Sequence, residues 1–324
     1  MTSFTLFIGG VAAALLLRPV LGLIYAVIVA YAGGGKTLKS LGATPGSWAI
    51  VTGGSDGIGK EFATQIAQKH GLNVLLVARN KEKLDTVQRE LSNSAKGDIK
   101  THVLDFSKAT PSDYARLKET ILGLPGGVSV LINNVAVNHV SPVSFIDESI
   151  ETIESIVQVN ISAQLAVTRI IAPLLVSQKK GLILNIGSLA GIVPSGYLSV
   201  YSASKAFLRF WSNALAMELK PSNVHVEHIR AFFIVTAMSK IRKPTWLSPT
   251  PKAFVKAVLG RLGKNIDSAP YPSHAILMWA IDNIMGERFW IDQSNNMHID
   301  IMKRVVKKKE REAAAAAGSR KKDI

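Results

Sequence analysis

Hydrophobic positions divide the chain into three stretches with different periods. From Phe4 to Ala32 nearly every residue is apolar, with Arg18 the only charge and Pro19 beside it. As a helix this run would span roughly 43 Å, against a bilayer hydrocarbon core of about 30 Å. That length suits a membrane crossing with tilt. Arg18-Pro19 leaves two halves too short to cross singly, so a kinked single span and a re-entrant hairpin are both open. A secretory signal fits less well, because no lysine or arginine precedes the run. Lys36 and Lys39 follow it, which by the positive-inside rule places the rest of the chain in the cytosol.

After a glycine-rich linker, Gly33 to Gly46, short apolar runs alternate with helical stretches. This is the pattern of an α/β fold, a parallel sheet covered on both faces. The predicted strands are Trp48 to Thr52, Asn73 to Ala78, Ile99 to Leu104, Val128 to Ile132, Leu182 to Ile186 and Val224 to Ile229. Helices fill the intervals, among them Ile58 to Lys69, Asp147 to Ser177 and Ser202 to Leu219. From Met302 the chain turns into a basic run, five alanines and a second basic run, the pattern of a solvated tail with some helix. The expected organisation is an anchor and linker over 1–46, a catalytic body over 47–301 and a tail over 302–324.

Composition changes the picture in two places. Lysine and arginine outnumber acids 38 to 23 in the 324 residues, but much of the excess lies in the tail, and no zinc-finger spacing or aromatic-basic interleaving accompanies it. A nucleic-acid partner is therefore not expected. The chain has no cysteine and its seven histidines form no HExxH pair, so neither a disulfide framework, a thiolate nucleophile nor a metal site is expected.

The first strand runs into Gly53-Gly54-Ser55-Asp56-Gly57-Ile58-Gly59 and then a helix. Glycines at such a strand-to-helix turn let backbone N–H groups and the helix dipole face a pyrophosphate, which makes Gly53, Ser55, Asp56, Gly57, Ile58 and Gly59 candidates for dinucleotide binding. The second strand ends Val77-Ala78-Arg79-Asn80, where NAD enzymes carry an acid for the ribose hydroxyls. Without that acid, Arg79 is free to pair with a 2′-phosphate, which favours NADPH over NADH. Asp105 and Asn133-Asn134 fall just past the third and fourth strands, at the carboxyl edge where ligands bind.

Tyr201 and Lys205 are four apart at the start of a helix and share one face. An ammonium beside a phenol favours phenolate, lowering a pKa of about 10 towards values useful for proton exchange near neutrality. Ser188 follows the fifth strand at the same edge, where its hydroxyl can bond the carbonyl that Tyr201 protonates. Asn160 either holds a water joining Lys205 to solvent or satisfies a backbone carbonyl.

TGGSDGIG at Thr52 to Gly59, Asp105, Asn133-Asn134, Asn160, Ser188, YSASK at Tyr201 to Lys205, and Val235-Thr236 appear in order. Together they resemble the short-chain dehydrogenase/reductases over roughly Trp48 to Leu262. The resemblance implies a Rossmann-type doubly wound sheet with a seventh strand and an NADP-binding reductase domain. It also implies Tyr201 as general acid, Lys205 lowering its pKa and holding the nicotinamide ribose, Ser188 polarising the carbonyl and Asn160 in the proton relay. Two departures stand out: Val135-Ala136 where the family has Ala-Gly, and Ala231 to Thr236, reading AFFIVT, where it commonly has Pro-Gly.

The N-terminal apolar run, the loop Met238 to Pro244, PTPKAFVK at Pro249 to Lys256 and Ala269 to His274 further resemble the very-long-chain 3-oxoacyl-CoA reductases of the endoplasmic reticulum. That resemblance implies NADPH-dependent reduction of 3-oxoacyl-CoA to 3-hydroxyacyl-CoA, the second step of fatty-acid elongation. Its implied partners are the elongase condensing enzyme, the 3-hydroxyacyl-CoA dehydratase and the enoyl reductase. Lys240, Arg242 and Lys243 either meet the coenzyme A phosphates or form a solvated loop, and Tyr271 to Trp290 reads either as an amphipathic helix lying on the membrane beside the acyl chain or as ordinary core packing. Lys321-Lys322-Asp323-Ile324 resembles a dilysine retrieval signal. A 17β-hydroxysteroid or retinol dehydrogenase, and a scaffold that binds NADP without turnover, are the alternatives.

Overall fold

β1 (Trp48–Thr52), β2 (Asn73–Ala78), β4 (Val128–Asn133) and β5 (Gly181–Ile186) are buried at every position, as strands covered on both faces must be. A computed structural model describes residues 2–31 and 34–320. Ala32, Gly33 of the linker and the motif at Lys321 to Ile324 lie outside the described residues. β3 (Ile99–Val103), β6 (Val224–Ile229) and the two-residue β7 (Asp267–Ser268) complete a seven-stranded sheet in the order β3-β2-β1-β4-β5-β6-β7, with every pairing parallel. β1, β2 and β6 have the expected bounds, while β3 ends one residue early and β4 and β5 gain one residue each. The order reverses between β1 and β4, which opens a crevice at their carboxyl ends.

The helices are α1 (Thr2–Tyr31), α2 (Gly57–Gln65), α3 (Lys81–Ser92), α4 (Pro111–Leu122), α5 (Ile150–Val157), α6 (Ala163–Ser177), α7 (Ser199–Leu219), α8 (Pro251–Leu259), α9 (Pro272–Asn283) and α10 (Glu287–Arg320). Phe62 and Ile66 at α2, Leu84 of α3 and Phe254 of α8 cover one face of the sheet. Leu117 of α4, Val167 and Ile171 of α6 and Ala216 of α7 cover the other. The stretch Ile150–Ser177 is long and apolar enough to cross a bilayer. It serves instead as a core element, broken by a π-helical turn at Gln158–Ser162 and packed under the sheet.

α1 is one continuous helix through Pro19, so of the two expected paths the structure takes the unbroken one and not the hairpin. It lies along α9. The Trp279 indole N–H donates to the Pro19 carbonyl at 2.8 Å, and a Cβ on Gly22 would stand 3.3 Å from that indole nitrogen. The expected single helix over Tyr271 to Trp290 is two: α9 ends at Asn283 and α10 begins at Glu287. α10 then runs unbroken past Met302, so the tail begins as a continuation of a packed helix.

Candidate active site

The turn after β1 has the geometry a dinucleotide needs. Gly53 and Gly57 adopt φ of +65° and +55°, a left-handed backbone that glycine enters without penalty. A Cβ on Gly59 would fall 2.2 Å from the Gly53 carbonyl oxygen, so the third glycine serves the close packing of α2 on the turn. Asp56 caps α2 by accepting from the Gly57 N–H at 2.7 Å, and Lys83 lies 3.3 Å from its other oxygen. Gly53, Asp56, Gly57 and Ile58 line a cavity of about 690 Å³ that continues to Ser188, Tyr201, Lys205 and Thr236. A pyrophosphate and nicotinamide fit this cradle.

Asn133 does not join it. Its side chain is fully buried, with Nδ2 donating to Thr168 Oγ1 at 2.8 Å and to Asn185 Oδ1 at 2.9 Å, so it braces β4 against β5 and α6. Alternation along the strand gives the cavity to Asn134, whose Nδ2 donates to the Thr52 and Gly53 carbonyls at 3.0 and 3.3 Å. Arg79 is exposed at the end of β2, beside Asn80, which caps α3. Asp105 accepts from the Ser107 N–H and hydroxyl at 3.0 and 2.7 Å. Both stand at the β2–β3 side of the crevice, away from the reacting groups. Ser55 lies within the turn itself.

Tyr201 and Lys205 come from the first turns of α7, and Ser188 from the end of β5. Lys205 Nζ donates to the Ile186 carbonyl at 2.9 Å and stands 5.8 Å from the centre of the Tyr201 ring. Burial pushes the Lys205 ammonium down to about 8. Burial also raises the Tyr201 phenol above its ordinary value, against a smaller lowering by the Ser188 hydroxyl that bonds it. Burial thus acts on Tyr201 in the direction opposite to the lowering expected from Lys205, whose ammonium is turned to the Ile186 carbonyl. A protonated, buried phenol is an acid ready to give its proton to a carbonyl.

Asn160 uses its whole side chain as a brace. Oδ1 accepts from the Val137 N–H at 2.8 Å, while Nδ2 donates to the Val137 carbonyl at 2.9 Å and to Ser204 Oγ at 3.0 Å. Of the two expected roles, its amide takes the one of satisfying backbone. Ala136 brings no strain: the described non-glycine residues with left-handed backbone are Lys179, Tyr197, Asn223 and Lys240.

The loop lacking Pro-Gly is held from α9. His274 is fully buried; its Nδ1 accepts from the Phe232 N–H at 3.4 Å and its Nε2 donates to the Leu247 carbonyl at 3.0 Å. Val235 N–H donates to the Pro249 carbonyl at 2.9 Å, and a Cβ on Gly57 would stand 3.3 Å from Thr236 Cγ2. Burial holds His274 near 4, below its ordinary 6.5, so it is neutral as these bonds require. The unfolded chain then takes up the proton first as pH falls. Stability from this group is full above 6.5 and is lost towards 4. The thermal transition is expected to drop between pH 7 and pH 4.5, and to drop less in His274→Gln; equal slopes would contradict this.

Residues 47–245 match the short chain dehydrogenase family. The chain belongs to that family. It is 45% identical over 289 residues to the very-long-chain 3-oxoacyl-CoA reductase of Neurospora crassa, covering 86% of each chain. It is 41% identical over 315 residues to the very-long-chain 3-oxoacyl-CoA reductase of Pyricularia oryzae, covering 94% of each. Among solved structures it is similar to a short-chain dehydrogenase from Sphingobium yanoikuyae in complex with NADPH, with a TM-score of 0.58 and 27% identity over 65% of this chain and 82% of that one.

Sequence reasoning missed Asn134 as the bracing amide, His274, and the part of α10 that walls the cavity through Trp290, His298 and Ile301. The break between α9 and α10 hid the last of these, since the helix expected over Tyr271 to Trp290 stops where α10 begins. The apolar positions Trp290, Met297 and Ile301 at helical spacing were the available signal.

Proposed function

We propose that the protein reduces very-long-chain 3-oxoacyl-CoA to 3-hydroxyacyl-CoA with NADPH, the reductive step of fatty-acid elongation. The observation that carries this is one cavity lined both by Ser188, Tyr201 and Lys205 and by the apolar Leu277, Ile281, Met297 and Ile301. Similarity to reductases of that name over nearly the whole chain supports it.

When bound, NADPH supplies the hydride. The glycine turn and the N-terminus of α2 would hold its pyrophosphate, Arg79 its 2′-phosphate, Asp105 its adenine end, and Lys205, Val235 and Thr236 its nicotinamide half. The Ser188 and Tyr201 hydroxyls donate to the oxygen of the 3-oxo group, where negative charge develops as that carbon is reduced. Tyr201 gives this oxygen its proton. Lys205, an ammonium weakened by burial, restores the phenol's proton. A relay at Asn160 runs through its main chain, where the π-turn Gln158–Ser162 departs from the helical hydrogen-bond pattern.

Lys240 donates to the Val140 carbonyl at 2.7 Å and so closes the loop over the cavity. Arg242 lines an open depression with Lys60, Lys252 and Lys308, among which Asp56 and Glu61 also stand. These cations are the part of the surface suited to the coenzyme A phosphates. α1, about 45 Å long at 1.5 Å per residue, serves as the membrane anchor. Because α1 packs on α9, and α9 walls the cavity, the acyl tail runs between α9 and α10 towards the bilayer. The setting is the endoplasmic reticulum membrane with the body in the cytosol, beside the condensing enzyme, the dehydratase and the enoyl reductase of the cycle.

Competition between a long-chain 3-oxoacyl-CoA and a 17-ketosteroid at equal concentration tests the substrate assignment: the acyl-CoA is expected to be consumed first, and preference for the steroid would contradict it. Filling the apolar wall with Ile281→Trp is expected to cut kcat/KM for the longest acyl chains several-fold more than for short ones. An equal effect at all lengths would remove α9 from the acyl path.

A further inference from the structure

His139 has no part in the chemistry above, yet it is built into the same cavity. Its side chain is 2% exposed and that of Glu148, whose carboxylate bonds its Nδ1, is 11% exposed. Its other ring nitrogen, Nε2, is buried without a partner. A buried, unpaired polar atom is costly unless a ligand satisfies it.

The loop carrying His139 is strapped to the element that carries Tyr201. On one side Asn160 clamps Val137 and reaches Ser204, whose hydroxyl in turn donates to the Tyr201 carbonyl at 2.7 Å. On the other, Val143 N–H donates to the Tyr197 carbonyl at 3.0 Å, just before α7. His139 lies between these two straps along the chain and lines the cavity that Ser188 and Tyr201 also line.

A 3-oxoacyl thioester carries a second carbonyl two bonds from the one reduced. We propose that His139 Nε2 hydrogen-bonds this thioester carbonyl, with Glu148 as the positioning residue that fixes the ring through Nδ1. The pair thereby selects 3-oxo thioesters from plain ketones that Ser188 and Tyr201 alone would accept. This role rests on the substrate reading above. Burial raises the Glu148 carboxyl, but hydrogen bonds from His139 and the Ser149 N–H outweigh it and hold the group below its ordinary range.

The test compares a long-chain 3-oxoacyl-CoA with its thioether analogue, in which the thioester carbonyl is a methylene and the ketone is kept. The quantity read is the ratio of their kcat/KM values in the wild type, His139→Phe, His139→Gln and Glu148→Gln, each variant checked for its thermal transition and NADPH affinity. The ratio is expected to fall about tenfold or more in His139→Phe, the scale of leaving a buried polar partner without its hydrogen bond. His139→Gln, which keeps a donor, should recover part of it, and Glu148→Gln should fall between. A ratio unchanged in His139→Phe, or equal in His139→Phe and His139→Gln, overturns the role of His139 alone. A wild type inert towards both compounds overturns the substrate reading, and His139's role with it.

Discussion

Tyr201→Phe is expected to bind NADPH as the wild type does and to lose about 10²- to 10⁴-fold in kcat, the usual contribution of a positioned general acid. The ring stays and only the hydroxyl goes. Burial keeps that hydroxyl protonated in the resting protein. Stopped-flow NADPH oxidation with 3-oxoacyl-CoA, together with fluorescence titration of NADPH, separates the two quantities. A rate within a few-fold of wild type would mean that another group, or water, protonates the carbonyl oxygen.

Arg79→Ala is expected to weaken NADPH by about tenfold to a hundredfold and NADH hardly at all, as loss of a charge-assisted pair to phosphate requires. Arg79 is exposed just past the carboxyl end of β2, and Ala78 before it brings no competing carboxylate. Dissociation constants for both cofactors check this. Equal losses for the two would place the arginine elsewhere than on the 2′-phosphate.

Much of the fold is legible because a parallel sheet buried on both faces writes itself as short continuous apolar runs. β1, β2 and β6 have the bounds the runs predict, and β7 is invisible because two residues, Asp267 and Ser268, carry no pattern. That Ser188, Tyr201 and Lys205 line one cavity is legible as well, since it depends on local spacing at strand and helix ends. Where a side chain points is less so. Asn133 and Asn134 are adjacent and identical, and only the pleat of β4 decides that the first faces the core and the second the glycine turn. The protonation of Tyr201 follows from burial, which one dimension does not display. His274 and His139 act through contacts more than forty residues away or through the depth of a cavity, and a lone histidine in sequence reveals neither.

The most direct test of the central claim follows the hydride. The full-length protein, purified in detergent, is given a long-chain 3-oxoacyl-CoA and NADPH deuterated at the nicotinamide 4-position on the transferred face, and the acyl product is examined by mass spectrometry. The predicted result is 3-hydroxyacyl-CoA carrying one deuterium on carbon 3, with none formed by Tyr201→Phe over the same time. Tight NADPH binding with no deuterated 3-hydroxyacyl-CoA would contradict the assignment.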